Sequence, residues 1–120
     1  MSVFQLEEWW SVKVSEEEEF DIGSLVIGNV DNSVPAVEKI VVGSLQGKLR
    51  IYSPTKPQFR VEDLIFEEIL YDPILQISLG KFIPATENIG IAVLHPRSLA
   101  VYEFLPHGKH SIVCVRVCMI

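Results

Sequence analysis

Short apolar runs separated by turn residues occur twice in the same order, about 50 residues apart, and few folds accommodate such a pattern. In the first half, Leu25-Val26-Ile27 lies between Gly23 and the turn cluster Asn29-Val30-Asp31-Asn32-Ser33. Lys39-Ile40-Val41-Val42-Gly43-Ser44 follows, and Leu45-Gln46-Gly47 links it to Lys48-Leu49-Arg50-Ile51-Tyr52. That last stretch alternates polar and apolar with period two, the pattern of a half-buried strand. The short glycine-bearing link predicts a hairpin in which Gly47 supplies a backbone angle that other residues resist. Ser53-Pro54-Thr55-Lys56-Pro57 then ends the pattern, since proline cannot donate to a sheet ladder. Residues 64–70 fit a strand or a helix by pattern alone.

The second half repeats this order. Ile74-Leu75-Gln76-Ile77-Ser78-Leu79 stops at Gly80, Ile89-Gly90-Ile91-Ala92-Val93-Leu94 follows, and His95-Pro96-Arg97 turns the chain into Ser98-Leu99-Ala100-Val101-Tyr102. Residues 111–117 complete a set of four. Ile40-Val41-Val42 overlays Ile91-Ala92-Val93 at an offset of 51, and Leu49-Arg50-Ile51-Tyr52 overlays Leu99-Ala100-Val101-Tyr102 at 50. Four strands with a period of about 50 residues are the mark of propeller blades. The expected fold is therefore all-β: the first two blades of a β-propeller, over residues 23–72 and 73–120. Propellers close with about four to eight blades, so two leave a blade face and strand edges uncovered. The chain is expected to be incomplete as a closed propeller. Residues 1–22 are read as a separate segment, either a short helix or a strand pairing with a later blade. They carry Phe4, Leu6, Trp9 and Trp10 ahead of the acidic run Glu16-Glu17-Glu18-Glu19.

Composition fits that expectation. Hydrophobic residues make up 48% of 120 and charged residues 22%, for a mean hydropathy of +0.30. This is high for a small domain, and points to surface meant to be covered. The net charge of −6 and scattered lysines and arginines speak against nucleic acid as a partner and against direct binding to an anionic membrane. Any membrane contact is expected to be indirect, through a complex. No apolar stretch reaches the roughly 18 residues a spanning helix needs. The N-terminus lacks the basic start and apolar core of a signal peptide. Cys114 and Cys118, four apart in one strand, would lie about 13 Å apart, too far for a disulfide. Reduced cysteines suit a cytosolic compartment.

Candidate chemistry is sparse. His95, His107 and His110 are the only histidines, and they lack the three or four ligands of a metal site. There is no nucleophile motif. Gly43-Ser44-Leu45-Gln46-Gly47-Lys48 lacks the spacer and the hydroxyl residue of a phosphate loop. Asp31 could serve as one ligand of a calcium loop, but Asx-turn chemistry explains its cluster without metal. Neither a cofactor nor catalysis is expected. In a strand, adjacent Trp9 and Trp10 would face opposite ways, which could free one for a partner, but burial of both within a parent propeller is the preferred reading. Glu16 to Glu19 read as a solvated face. The positions expected to matter for folding or assembly are Trp9, Trp10, the turn residues Asn29, Asp31 and Asn32, the backbone-constrained Gly43 and Gly47, and the turn bearing His95 and Arg97. Arg50 and Arg97 are read as exposed charges, more tolerant of substitution than the two glycines. A rival reading is a self-contained small β-domain that binds a peptide at a sheet edge.

Specific residues carry a family resemblance. Trp9-Trp10-Ser11, Glu19-Phe20-Asp21, Asn29-Val30-Asp31-Asn32-Ser33, Lys39 to Ser44, Leu49-Arg50-Ile51, Asp72-Pro73-Ile74-Leu75-Gln76, Gly80-Lys81-Phe82 and Leu94-His95 run collinear with one known family. The chain resembles the N-terminal region of the Bardet–Biedl syndrome 9 proteins, also called parathyroid-hormone-responsive proteins. The resemblance covers residues 4 to 104 and fades after Phe104, and the 54–62 loop is short for the family. It implies a non-catalytic scaffold subunit of the BBSome, the coat-like complex that moves membrane proteins into and out of cilia. It further implies the other BBSome subunits as partners. The implied location is the cytoplasm, the basal body and the ciliary membrane.

Overall fold

The computed structural model describes residues 5–84, 86–105 and 111–118. Within them the chain forms two four-stranded antiparallel sheets. The first contains β1 (Leu25–Gly28), β2 (Lys39–Gly43), β3 (Lys48–Tyr52) and β4 (Leu64–Ile69), side by side in chain order. The second repeats the order with β5 (Gln76–Gly80), β6 (Gly90–His95), β7 (Ser98–Leu105) and β8 (Ser111–Cys118). Residues 64–70, ambiguous by pattern, therefore supply a strand. A single 3₁₀ turn, Val61–Asp63, leads into it. No helix among the described residues is long and apolar enough to cross a membrane. Two stacked four-stranded meanders match two propeller blades.

Cross-strand rows build the core. In the first sheet Val26 pairs with Val41, Val41 with Ile51, and Ile51 with Phe66. In the second, Leu79 pairs with Ile91 and Ile91 with Tyr102, while Ile77 pairs with Val93 and Val93 with Ala100. These rows meet in one buried cluster, where Phe66 and Phe104 stack edge to face at 5.4 Å. The inner strands touch through a parallel bridge between Gly23 and Gln76. Gly43 is required at this junction, because a Cβ there would lie 2.7 Å from the Ile74 side chain. Gly47 has φ of +88°, and a Cβ there would come within 2.8 Å of the Asp72 carbonyl oxygen.

The repeat holds strand by strand and in residue register. Val41 pairs with Ile51 as Ala92 pairs with Val101, and Ile40 pairs with Tyr52 as Ile91 pairs with Tyr102, so the overlaid residues occupy equivalent ladder positions. Consecutive blades present equivalent residues in the same direction. Leu49 and Ile51 face the second sheet and are fully buried, whereas Leu99, the β7 counterpart of Leu49, faces away from the first sheet and is 37% exposed. The offset falls from 51 to 50 because Gly43 pairs with Leu49 across five intervening residues and Leu94 with Leu99 across four.

Candidate interaction surface

Residues 5–22 form no helix and pair with no strand of the two sheets. They form an irregular strap laid across the outer face of the first sheet, the face turned away from the second. Backbone bonds fix both ends: Gln58 N–H donates to the Trp9 carbonyl (3.0 Å) and Leu45 N–H to the Glu19 carbonyl (2.7 Å). Trp10 is the aromatic anchor. Its ring packs edge to face on Tyr52 (5.7 Å) and on Phe59 (5.9 Å). Its Nε1–H donates to Asp63 Oδ2 at 2.9 Å. That bond, aided by the Arg60 amide at 3.0 Å, holds the Asp63 carboxyl below its ordinary range.

The second anchor corrects two readings from sequence. Arg50 is buried, at 6% exposure, and is not a tolerant surface charge. Its guanidinium takes Glu18 in a fork, with Nη1 at 3.0 Å and Nη2 at 2.6 Å, while Nε reaches Glu67 at 2.9 Å. The Glu18 side chain is correspondingly 9% exposed rather than part of a solvated face. The hydrogen bonds from Arg50 lower the Glu18 carboxyl against the opposing effect of burial. Strand alternation does put Arg50 opposite Leu49 and Ile51. That outward face is closed by a segment 32 residues upstream, which no local pattern reveals.

The turn at residues 29–33 is a structural knot. Lys39, itself buried, sends its ammonium to Asn29 Oδ1 (3.1 Å), Asp31 Oδ1 (2.6 Å) and Ser33 Oγ (2.8 Å). The oxygens that a calcium reading would recruit thus converge on a tethered cation from β2. Ser33 N–H also donates to Asp31 Oδ1 at 3.1 Å, the expected Asx turn. Burial opposes the Asp31 charge, but Lys39 and Ser33 outweigh it and the carboxyl lies below its ordinary range. The knot holds Asn32 at φ of 55°. The Asn32 amide then clamps Ile89, the residue leading into β6 of the second sheet, accepting from Ile89 N–H (2.7 Å) and donating to Ile89 O (3.3 Å). Asn29, Asp31 and Asn32 therefore serve one purpose, which is to join the sheets. Lys39, the hub of the knot, read from sequence only as the first residue of a strand.

The remaining predicted positions separate. His95 is buried at the end of β6, where Nδ1 lies 2.9 Å from the Pro73 carbonyl oxygen. That contact fits an Nδ1–H donor and pins the link between the sheets, which Leu75 N–H also holds through Leu94 O at 2.9 Å. Arg97 is exposed, as read. Trp9 is 53% exposed. Cys118 is an exposed free thiol. His107 and His110 lie outside the described residues, as does Phe4. Both outer faces retain uncovered apolar groups: Leu25 and Ile27 on the first sheet, Leu99 and Val117 on the second.

Comparison with known proteins places the chain in a family. The family described as PTHB1 N-terminal matches residues 1–116. The chain belongs to the PTHB1 family. It is 51% identical over 107 residues to Protein PTHB1 of Xenopus laevis, a match covering 86% of this chain and 13% of that protein. It is 48% identical to human Protein PTHB1 over the same length, covering 86% of this chain and 12% of the human one. The chain thus spans a small fraction of the PTHB1 proteins it matches.

Proposed function

We propose that the chain is a non-catalytic scaffold element of the BBSome, forming two blades of an N-terminal β-propeller and supporting ciliary trafficking of membrane proteins. The observation that carries this reading is the pair of apolar outer faces, Leu25 and Ile27 on one side, Leu99 and Val117 on the other. Such faces suit a unit that continues into further blades on both sides. Membership of the PTHB1 family supports it. The partners are the other BBSome subunits, any membrane contact is made through them, and the location is the cytoplasm, cilium and basal body. No enzymatic step, metal or cofactor enters this function.

A second reading has one observation in its favour. Strand β4 has one sheet neighbour among the described residues, and Ile69 on it is 46% exposed. An extended peptide added at that edge would make the chain a small binding domain. Purification of the N-terminally tagged product from ciliated cells, with mass spectrometry of its size and companions, separates the two. Recovery with BBSome subunits supports the scaffold. A stable 13.5 kDa product free of them, monomeric and melting in one cooperative step, would reject the scaffold for this form.

A further inference from the structure

Two adjacent tryptophans on the strap have different surroundings. Trp10 is half-buried against Tyr52, Phe59 and Asp63. Trp9, 53% exposed, borders an open pocket of about 380 Å³ with Glu8, Ser11, Gln58 and Phe59, and Trp10 forms part of its wall. Phe59 is 39% exposed there. Two large aromatic rings left at the surface of one pocket are costly to hydrate, and tryptophan is enriched where partners dock.

The pocket is also fixed in shape. Gln58 holds a left-handed backbone, φ of 69°, which a glutamine rarely adopts. Its N–H is tied to the Trp9 carbonyl at 3.0 Å. Strain of this kind persists where surrounding contacts enforce it, and clusters at binding sites. Charge then selects the ligand. Glu7 and Glu8 are exposed on the strap, and Glu8 borders the pocket. Lys56 and Arg60, exposed in the same loop as Gln58, do not border it. An indole beside a carboxylate and a side-chain amide complements a planar guanidinium, which stacks on rings and pairs with carboxylates.

We propose that this pocket receives an arginine side chain presented by an extended segment of a partner protein. The indole of Trp9 supplies the stacking surface, Glu8 the counter-charge, and the Gln58 amide oxygen an additional acceptor. The net charge of −6 favours the approach of such a segment. The proposal stands independently of which complex the chain serves.

The test uses the whole 120-residue chain and follows the two indole N–H signals by ¹H–¹⁵N correlation spectroscopy. The probes are acetyl-Gly-Arg-Gly-amide and the same peptide with citrulline, which keeps the shape and removes the charge. The expected result is a saturable shift at Trp9 with the arginine peptide, a smaller one at Trp10 in the pocket wall, and binding about tenfold weaker with citrulline. Glu8→Gln should weaken arginine binding about threefold to tenfold without moving the amide signals of β2 and β3, which report the fold in every sample. Equal binding of both peptides would overturn the proposal. So would an unmoved Trp9 signal, or undiminished binding to Trp9→Leu followed at the Gln58 amide.

Discussion

The two sheets share a topology and differ in what covers them. On the first, the outward residues Val42, Arg50 and Tyr52 are at most 8% exposed, because the strap lies over them. On the second, outward Leu99 and Val117 are 37% and 58% exposed. A stretch of irregular chain therefore covers the β2–β3 part of one sheet and leaves Leu25 and Ile27 on β1 open, at 57% and 59% exposure. It manages this without ladder hydrogen bonds, through one aromatic anchor, one ion cluster and two backbone bonds at its ends. Burial of that part demands apolar cover and compensation of whatever charge is trapped beneath, while β1 beside it stays open to a neighbour.

That contrast can be broken at Arg50. Arg50→Glu would put a third carboxylate beside Glu18 and Glu67 in a buried position and is expected to destabilise the chain by about 3–5 kcal/mol. A denaturant titration at neutral pH reads the loss directly. Removing the aromatic anchor comes next. Trp10→Ala should cost about 2–3 kcal/mol in lost packing on Tyr52 and Phe59, the lower part of the buried-aromatic range because Trp10 is only half-buried. Trp9→Ala in the same titration should stay within about 0.5 kcal/mol. Asn32→Ala is expected to cost about 1–2 kcal/mol by leaving the Ile89 backbone groups without their clamp, which thermal unfolding would register.

Acid should act on the strap and the knot rather than on the second sheet. Glu18, Asp31 and Asp63 all have carboxyls held below their ordinary values in the folded chain. A depressed folded value contributes stability that is fully present above the unfolded value of about 4. The contribution is lost as pH falls through the folded values. Tryptophan emission followed downward from pH 5 should therefore report loosening around Trp10 in strong acid. Emission that changes between pH 5 and 8 would contradict this. The smallest effect is expected at the exposed turn of the second sheet, where Arg97→Glu should change stability by less than about 0.5 kcal/mol.

Much of the fold was legible from residue patterns. Val and Ile runs bounded by Gly, Asn and Pro located the strands, and the recurrence of four runs located the two sheets. Register was legible too: Leu49 was matched to Leu99 and Ile51 to Val101, and these residues hold equivalent ladder positions in the two sheets. The surface was harder. Alternation put Arg50 on the outer face correctly, but nothing near Arg50 signals that Glu18 covers it. Nor does a run of four glutamates show which one turns inward. The turn residues at 29–33 were singled out for their backbone chemistry, whereas the cation that organises them, Lys39, comes from the following strand. Long-range pairing of side chains leaves no periodic trace.

Native-state hydrogen exchange at two backbone amides tests most directly whether the strap is part of the first sheet. Leu45 and Gln58 donate to strap carbonyls, those of Glu19 and Trp9. If the strap is docked as described, both amides are protected in the intact chain and lose that protection when residues 1–20 are removed. Exchange of both at unprotected rates in the intact chain, with the strands β2 and β3 still protected, would contradict the account.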